Sequence, residues 1–126
     1  MALAADHQVV VDGDAQTAYG AAKMAVLGLM NCLAIEGRKN NILVNALSPG
    51  AATRMTRSLI SPELARHFGA ELVSPAVAWL CSEKCEETAN IIAASAGGFA
   101  RMQFFETKGV QFDPTKPVTV DMFDAA

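Results

Sequence analysis

A phenol and an ammonium stand four residues apart in Tyr19-Gly20-Ala21-Ala22-Lys23. On a helix that spacing puts both side chains on one face, a turn apart. A free tyrosine has a pKa of about 10 and is a poor base near neutrality, whereas a neighbouring cation favours the phenolate and draws the value toward working pH. Tyr19 and Lys23 are therefore candidate catalytic residues, the first exchanging a proton and the second supplying the charge that eases its release. The same spacing also arises where a rim aromatic lies beside a solvated charge, and the pair alone leaves both readings open. Other reactive side chains are sparse. Cys32, Cys81 and Cys85 are odd in number, form no Cys-x-x-Cys pair and have no clustered histidines beside them. They read as reduced, buried structural thiols, with no disulfide framework and no metal site expected.

The elements that must hold the pair can be traced along the chain. A helix is expected from about Thr17 to Arg38; it carries Ala21, Ala22, Met24, Ala25, Leu27, Met30 and Leu33 on more than one face, so two faces call for burial. The apolar run Ile42-Leu43-Val44-Asn45-Ala46-Leu47 reads as a strand stopped by Ser48-Pro49-Gly50. Ser61-Pro62-Glu63 and Ser74-Pro75 each read as a helix start, with serine as the cap and proline at the first position. The second of these helices runs through Trp79-Leu80-Cys81 into the charged Glu83 to Glu87 loop. Asn90 to Ala94 reads as a buried strand ahead of Gly97-Gly98, and Gln8-Val9-Val10-Val11 as a shorter one closed by Asp12-Gly13-Asp14. Residues 109–126, with Pro114 and Pro117, show little periodicity and are expected to be an extended, loosely docked tail.

This order resembles the second half of the short-chain dehydrogenase/reductase family: Tyr and Lys early in a helix, Asn45 inside the next strand, Pro49-Gly50 just after it. Leu33-Ala34-Ile35-Glu36-Gly37-Arg38-Lys39, Arg54-Met55-Thr56 and Trp79-Leu80-Cys81 narrow the likeness to the (R)-3-hydroxyacyl-CoA dehydrogenase domains of peroxisomal multifunctional enzymes, over about Gln16 to Glu106. The resemblance implies an incomplete doubly wound α/β fold, Rossmann-like, with a parallel sheet of two to three strands, three or four flanking helices and the N-terminal half missing. Residues 1–126 would form one partial domain. It also implies hydride transfer between NAD or NADP and a secondary alcohol or ketone, the substrate being a 3-hydroxyacyl thioester. Lys23, Pro49, Gly50, Thr53 and Thr56 would then bind the cofactor's nicotinamide end, and Asn45 would satisfy backbone groups near the site.

Two departures qualify that expectation. The family's glycine-rich turn precedes its tyrosine by more than a hundred residues, yet only 18 residues precede Tyr19, and no Gly-x-Gly-x-x-Gly occurs in the chain. The family's substrate-holding serine has no counterpart, since Ala5-Asp6-His7 stand in its place and Ser48 is the first serine. An isolated chain is thus expected to be inactive without a polypeptide carrying the nucleotide half. The alternatives are a non-catalytic dimerisation module and a truncated remnant.

Composition bounds the remaining classes. The chain has 126 residues, suits one domain, and carries a net charge of −3 with an isoelectric point near 5.3. That balance argues against nucleic acid or an anionic membrane as partner. Apolar residues make up 52% and charged ones 18%, rich enough to predict a homo-oligomer, assembled by the resemblance through the 17–38 helix and the 74–98 region. The start lacks the basic and apolar regions of an export leader, the end lacks a peroxisomal Ser-Lys-Leu, and no run was expected to reach the roughly 20 apolar residues of a bilayer span, so a cytoplasmic location is expected.

Overall fold

Alanine, leucine and methionine, all strong helix formers, dominate residues 17–37, and in a computed structural model of the chain they form one continuous helix, α1 (Thr17–Gly37). The structure describes residues 2–4, 17–54, 56 and 60–126. The helix closes where Asn41 turns left-handed, at φ 55°, and the Ile42 amide donates back to the Gly37 carbonyl at 3.0 Å. Gly37 suits this tight closure, where a Cβ would stand 3.0 Å from the Ile42 carbonyl oxygen and 3.1 Å from its Cβ, closer than side chains ordinarily approach.

The chain then reverses into β2 (Asn45–Gly50), the second strand of a four-stranded sheet. Its neighbours are β1 (Ala2–Ala4) and β3 (Ile91–Ser95), both parallel to it, and β3 is followed antiparallel by β4 (Gly98–Met102). Ala4 faces Leu47 and Gly50 faces Ser95, so β2 continues past its last β1 partner through Pro49 and Gly50. The expectation that Ser48-Pro49-Gly50 stops the strand is corrected: Pro49 lacks an N–H, but it lies beyond the β1 pairing, where a strand end accommodates proline. The sheet has more strands than the two or three expected. The anticipated strand at residues 8–11 lies outside the described residues.

Alternation along the strands splits the core into two layers. Ala46 and Ile91 pack with Leu27, Met30 and Ala34 of α1, whereas Leu47 and Ala94 pack with Val73, Ala76, Leu80 and Cys85 on the opposite face. That second face is covered by α3 (Ser74–Leu80). Helices on both faces of a mostly parallel sheet make the doubly wound arrangement expected from the sequence. Between β2 and α3 lies the short α2 (Pro62–Ala65), whose Ser61 cap accepts the Leu64 amide at 3.2 Å, as its sequence signal predicts. Ser74 is not the cap of α3; Val73 holds that position, and the Ser74 hydroxyl donates to the Ala70 carbonyl of the preceding turn at 3.3 Å.

Two further expectations, on the thiols and on the length of apolar runs, are corrected. Cys85 is buried, but Cys32 and Cys81 are exposed, because the outer face of α1 and the end of α3 have nothing packed on them among the described residues. Residues 103–126 are almost entirely exposed, and a short helix, α4 (Val120–Asp124), lies near their end, started by the Thr119 hydroxyl accepting the Met122 amide at 3.3 Å, which leaves the expectation of a loosely docked 109–126 tail as it stood. Finally, the helical segment Thr17–Asn40 is long and apolar enough, by length and composition, to cross a bilayer. Its packing against Val44, Ala46 and Ile91 makes it a sheet-bound helix with an uncovered outer face.

Candidate functional site

Because α1 ends beside the start of β2, it runs against the strands, and its first turns stand at the sheet's carboxyl edge. Tyr19 and Lys23 therefore meet the end of β2 and the bend that follows. Both side chains line a cleft of about 760 Å³ that is also lined by Pro49, Gly50, Thr53 and Thr56. Every residue singled out from the sequence for catalysis or cofactor binding is thus gathered around one opening. Open α/β folds bind their ligands at this edge.

The Lys23 ammonium lies over the Tyr19 ring, 5.4 Å from its centroid. That geometry is within cation–π range and keeps a positive charge beside the phenol. Lys23 is half-buried, and Tyr19 keeps 38% of its surface exposed, so the phenol is accessible from the cleft. Gly50 permits the close approach of β2 to β3 at the rim, since a Cβ there would stand 2.5 Å from the Ser95 hydroxyl.

The bend beyond β2 is closed by its own threonines. The Thr53 amide donates to the Thr56 hydroxyl oxygen at 2.8 Å, the Thr56 hydroxyl donates to the Ala51 carbonyl at 2.8 Å, and the Thr56 amide returns to the Thr53 carbonyl at 3.2 Å. One residue earlier, the Ala52 amide donates to the Phe68 carbonyl at 2.6 Å, joining the bend to the segment after α2. Phe68 and Val73 of that segment form an apolar wall with Ile60, which precedes α2, and Val77 of α3. Sequence reasoning did not pick out these four; the available signal was their clustering around two Ser-Pro helix starts that follow the Pro49-Gly50 bend.

Asn45 sits at the opposite end of β2, buried to 1% exposure. Its amide nitrogen donates to the Glu87 carbonyl at 2.8 Å and its oxygen accepts the Asn90 amide at 3.0 Å. It satisfies backbone groups, as expected, but of the loop leading into β3 and away from the cleft. The 5–16 segment, where the resemblance places the substrate-holding serine, lies outside the described residues. Among the described residues no group of three or more His, Cys, Asp or Glu side chains is gathered to hold a metal.

A parallel sheet with helices on both faces, and a tyrosine and lysine opposed to the strand-end bend, define the C-terminal part of a doubly wound nucleotide-type fold. Known proteins bear this out: the family described as short chain dehydrogenase matches residues 8–64. A short-chain type dehydrogenase/reductase of Mycobacterium tuberculosis is 46% identical over 105 residues, which cover 83% of this chain and 36% of that protein. Peroxisomal multifunctional enzyme type 2 of Mus musculus is 44% identical over 94 residues, or 75% of this chain and 13% of the relative. Among solved structures, the full-length Drosophila melanogaster peroxisomal multifunctional enzyme type 2 superposes with a TM-score of 0.84 at 31% identity, over 98% of this chain and 23% of that one. A short chain dehydrogenase from Mycobacterium avium gives 0.75 at 25% identity, over 98% and 42%. The chain belongs to the short-chain dehydrogenases/reductases, as a counterpart of the C-terminal half of their domain, and resembles the peroxisomal multifunctional enzymes within it. It spans about a third or less of the first curated relatives.

Proposed function

We propose that this chain carries the proton-transfer half of an oxidoreductase site, acting in reversible hydride transfer between NAD or NADP and a secondary alcohol or ketone, with a 3-hydroxyacyl thioester as the substrate class. The reading rests on one observation above all: Tyr19, Lys23, Pro49, Gly50, Thr53 and Thr56, drawn from a helix, a strand end and a loop, line a single cleft. The nicotinamide cofactor, when bound, supplies the hydride chemistry. The residues present fit its nicotinamide end, with a cation, hydroxyls and the Pro49-Gly50 bend around a space of about 760 Å³. They include no Gly-x-Gly-x-x-Gly cradle for the pyrophosphate.

Within that cleft Tyr19, as phenolate, takes the alcohol proton during oxidation and, as phenol, returns it during reduction. Lys23 stabilises the phenolate through its charge and holds ribose hydroxyls by donating hydrogen bonds. The wall of Ile60, Phe68, Val73 and Val77 excludes water and accommodates an aliphatic arm of the substrate. The thioester itself is suggested by the multifunctional-enzyme relatives.

A second reading, a non-catalytic module that associates through α1, is favoured by one observation: Leu29 and Ile35 on that helix are 52% and 70% exposed. Mixing the chain with a separately produced nucleotide-binding half decides between them. Catalysis predicts NADH formation from a 3-hydroxyacyl thioester and a loss of about 10²- to 10⁴-fold in Tyr19→Phe with dinucleotide affinity retained. Absence of turnover with every complement, alongside an assembly indifferent to Tyr19→Phe and Lys23→Ala, selects the module.

A further inference from the structure

β4 ends the sheet, and the side of it that faces away from β3 is bare. The two-residue turn at Ala96-Gly97 makes Ser95 and Gly98 a hydrogen-bonded pair, and in an antiparallel ladder such pairs alternate with non-bonded ones. Gly98, Ala100 and Met102 therefore spend their backbone groups on Ser95, Ala93 and Ile91, whereas Phe99 and Arg101 turn theirs outward. The Asn90 carbonyl fixes the same phase from the other side. It accepts the Ala46 amide of β2 at 2.8 Å, so the even-numbered residues of this stretch face β2 and the odd-numbered ones face β4. Among the described residues nothing meets the outward amides and carbonyls of Phe99 and Arg101, and residues 98–101 are all exposed. Sheet edges of this kind are ordinarily blunted by a lysine, a proline or a bulge. β4 has none of the three: Gly98-Phe99-Ala100-Arg101-Met102 pairs with β3 residue for residue, and the charge of Arg101 is met by Glu87.

We propose that the outer edge of β4 is an interface for a second copy of this chain, the two β4 strands lying antiparallel about a two-fold axis at Ala100 and joining two four-stranded sheets into one. The occupant follows from self-complementarity. In this register Phe99 stands opposite the partner's Arg101 and Arg101 opposite the partner's Phe99; each such pair exchanges two N–H···O bonds, so every outward group of the two residues is met. A shift by two residues one way sets Arg101 against the partner's Arg101, a like-charge contact, and the other way draws Gly97 of the turn into the ladder. Directly opposed residues share a face, so the ring of Phe99, 51% exposed, receives the guanidinium side chain of the partner's Arg101, while the small Ala100 lets the strands close at the axis. Two-fold pairing uses up the edge on both copies and so ends with two chains. The two β2 strands then run in opposite directions, which puts the Tyr19 clefts at opposite ends of the joined sheet. The proposal is independent of the function proposed above.

The test is amide hydrogen exchange, followed by NMR on the chain itself at about 0.02 mM and about 1 mM. So short a strand pairing is weak, and a Kd of about 0.1 mM leaves roughly three-quarters of the molecules single at the lower concentration and roughly a fifth at the higher. Exchange of the Phe99 and Arg101 amides should therefore slow about fourfold on concentration, while those of Ala100 and Met102, bonded to β3, keep their rates. Phe99→Lys retains every backbone group but sets a second cation against the partner's Arg101, and should abolish the slowing; Phe99→Leu should retain it. Ala100→Glu, which opposes a carboxylate to its own symmetry mate at the axis, should abolish it as well, and decides the matter if F99K loses the protection of its Ala100 amide and with it the hairpin. Rates at Phe99 and Arg101 that ignore concentration, or slow only in step with Ala100 and Met102, would overturn the proposal. So would slowing that persists in a folded F99K or A100E chain, or that extends to residues 2–4 at the other edge of the sheet, which would make the contact head-to-tail.

Discussion

Asn45 shows how much a single buried amide can hold. Its nitrogen and oxygen bond the backbone of Glu87 and Asn90, while the adjoining Val44 amide and carbonyl are both met by the Thr88 hydroxyl, at 3.0 and 3.2 Å. These bonds tie β2 to the loop entering β3 across more than 40 residues of sequence. Asn45→Ala would leave the Asn90 amide and the Glu87 carbonyl short of a partner in the interior, a cost of about 2 to 4 kcal/mol for the two groups. A urea midpoint lowered by that amount with the slope unchanged is the expected result, and a midpoint within about 0.5 kcal/mol of the parent would refute it. At this scale the sequence was legible where partners are local. Tyr19 and Lys23 lie one turn apart and could be paired from spacing alone, whereas Thr56 stood out only through the family resemblance, and its bond to the Ala51 carbonyl depends on a turn that spacing does not show. The partners of Asn45 depend on strand pairing, which no local signal encodes.

The β3–β4 connection carries a cost that one substitution should relieve. Ser95 pairs with Gly98, leaving Ala96 and Gly97 as a two-residue turn with φ of 49° and 77°. Both values lie in the left-handed region that such hairpin turns demand, and there a Cβ costs roughly 1 kcal/mol. Glycine at 97 meets the demand; alanine at 96 does not. Ala96→Asn, an asparagine-glycine turn, should stabilise the protein by about 0.5 to 1 kcal/mol, seen as a thermal midpoint higher by a few degrees. An unchanged or lower midpoint would show the hairpin to be held in another shape. The same turn explains why β4 escaped the sequence reading. Ala-Gly is a weak hairpin signal, and Gly98-Phe99-Ala100-Arg101-Met102 is almost wholly exposed, so no alternation marks it. Arg101 instead secures the strand by an ion pair with Glu87 in the Asn45 loop. Where burial imposes a pattern, as along α1 and β3, the elements were legible to within a few residues.

For the whole molecule, apolar character exceeds what the interior absorbs. Only Leu27, Met30, Ala34 and Gly37 of the 21 residues in α1 are buried, and Met24, Leu29 and Ile35 remain substantially exposed. An apolar helix face this extensive in contact with water is costly, at about 25 cal/mol for each Å² that a partner could cover. A second copy laid against the outer face of α1 would cover it without disturbing the sheet, because Leu27, Met30 and Ala34 pack the other way, with Val44, Ala46 and Ile91. Carboxylates placed in that contact would have to be desolvated opposite their own symmetry mates, a penalty that outweighs the apolar gain. If the parent dimerises through this face, as its exposed apolar residues predict, the double variant Leu29→Glu, Ile35→Glu should sediment as a monomer at concentrations where the parent associates, with its helix content and urea midpoint near those of the dissociated parent. A parent that stays monomeric up to about 0.1 mM would rule this interface out, since contacts of standard size bind more tightly than that. A double variant that still dimerises would move the interface to another surface, such as the exposed Val77 and Trp79 of α3.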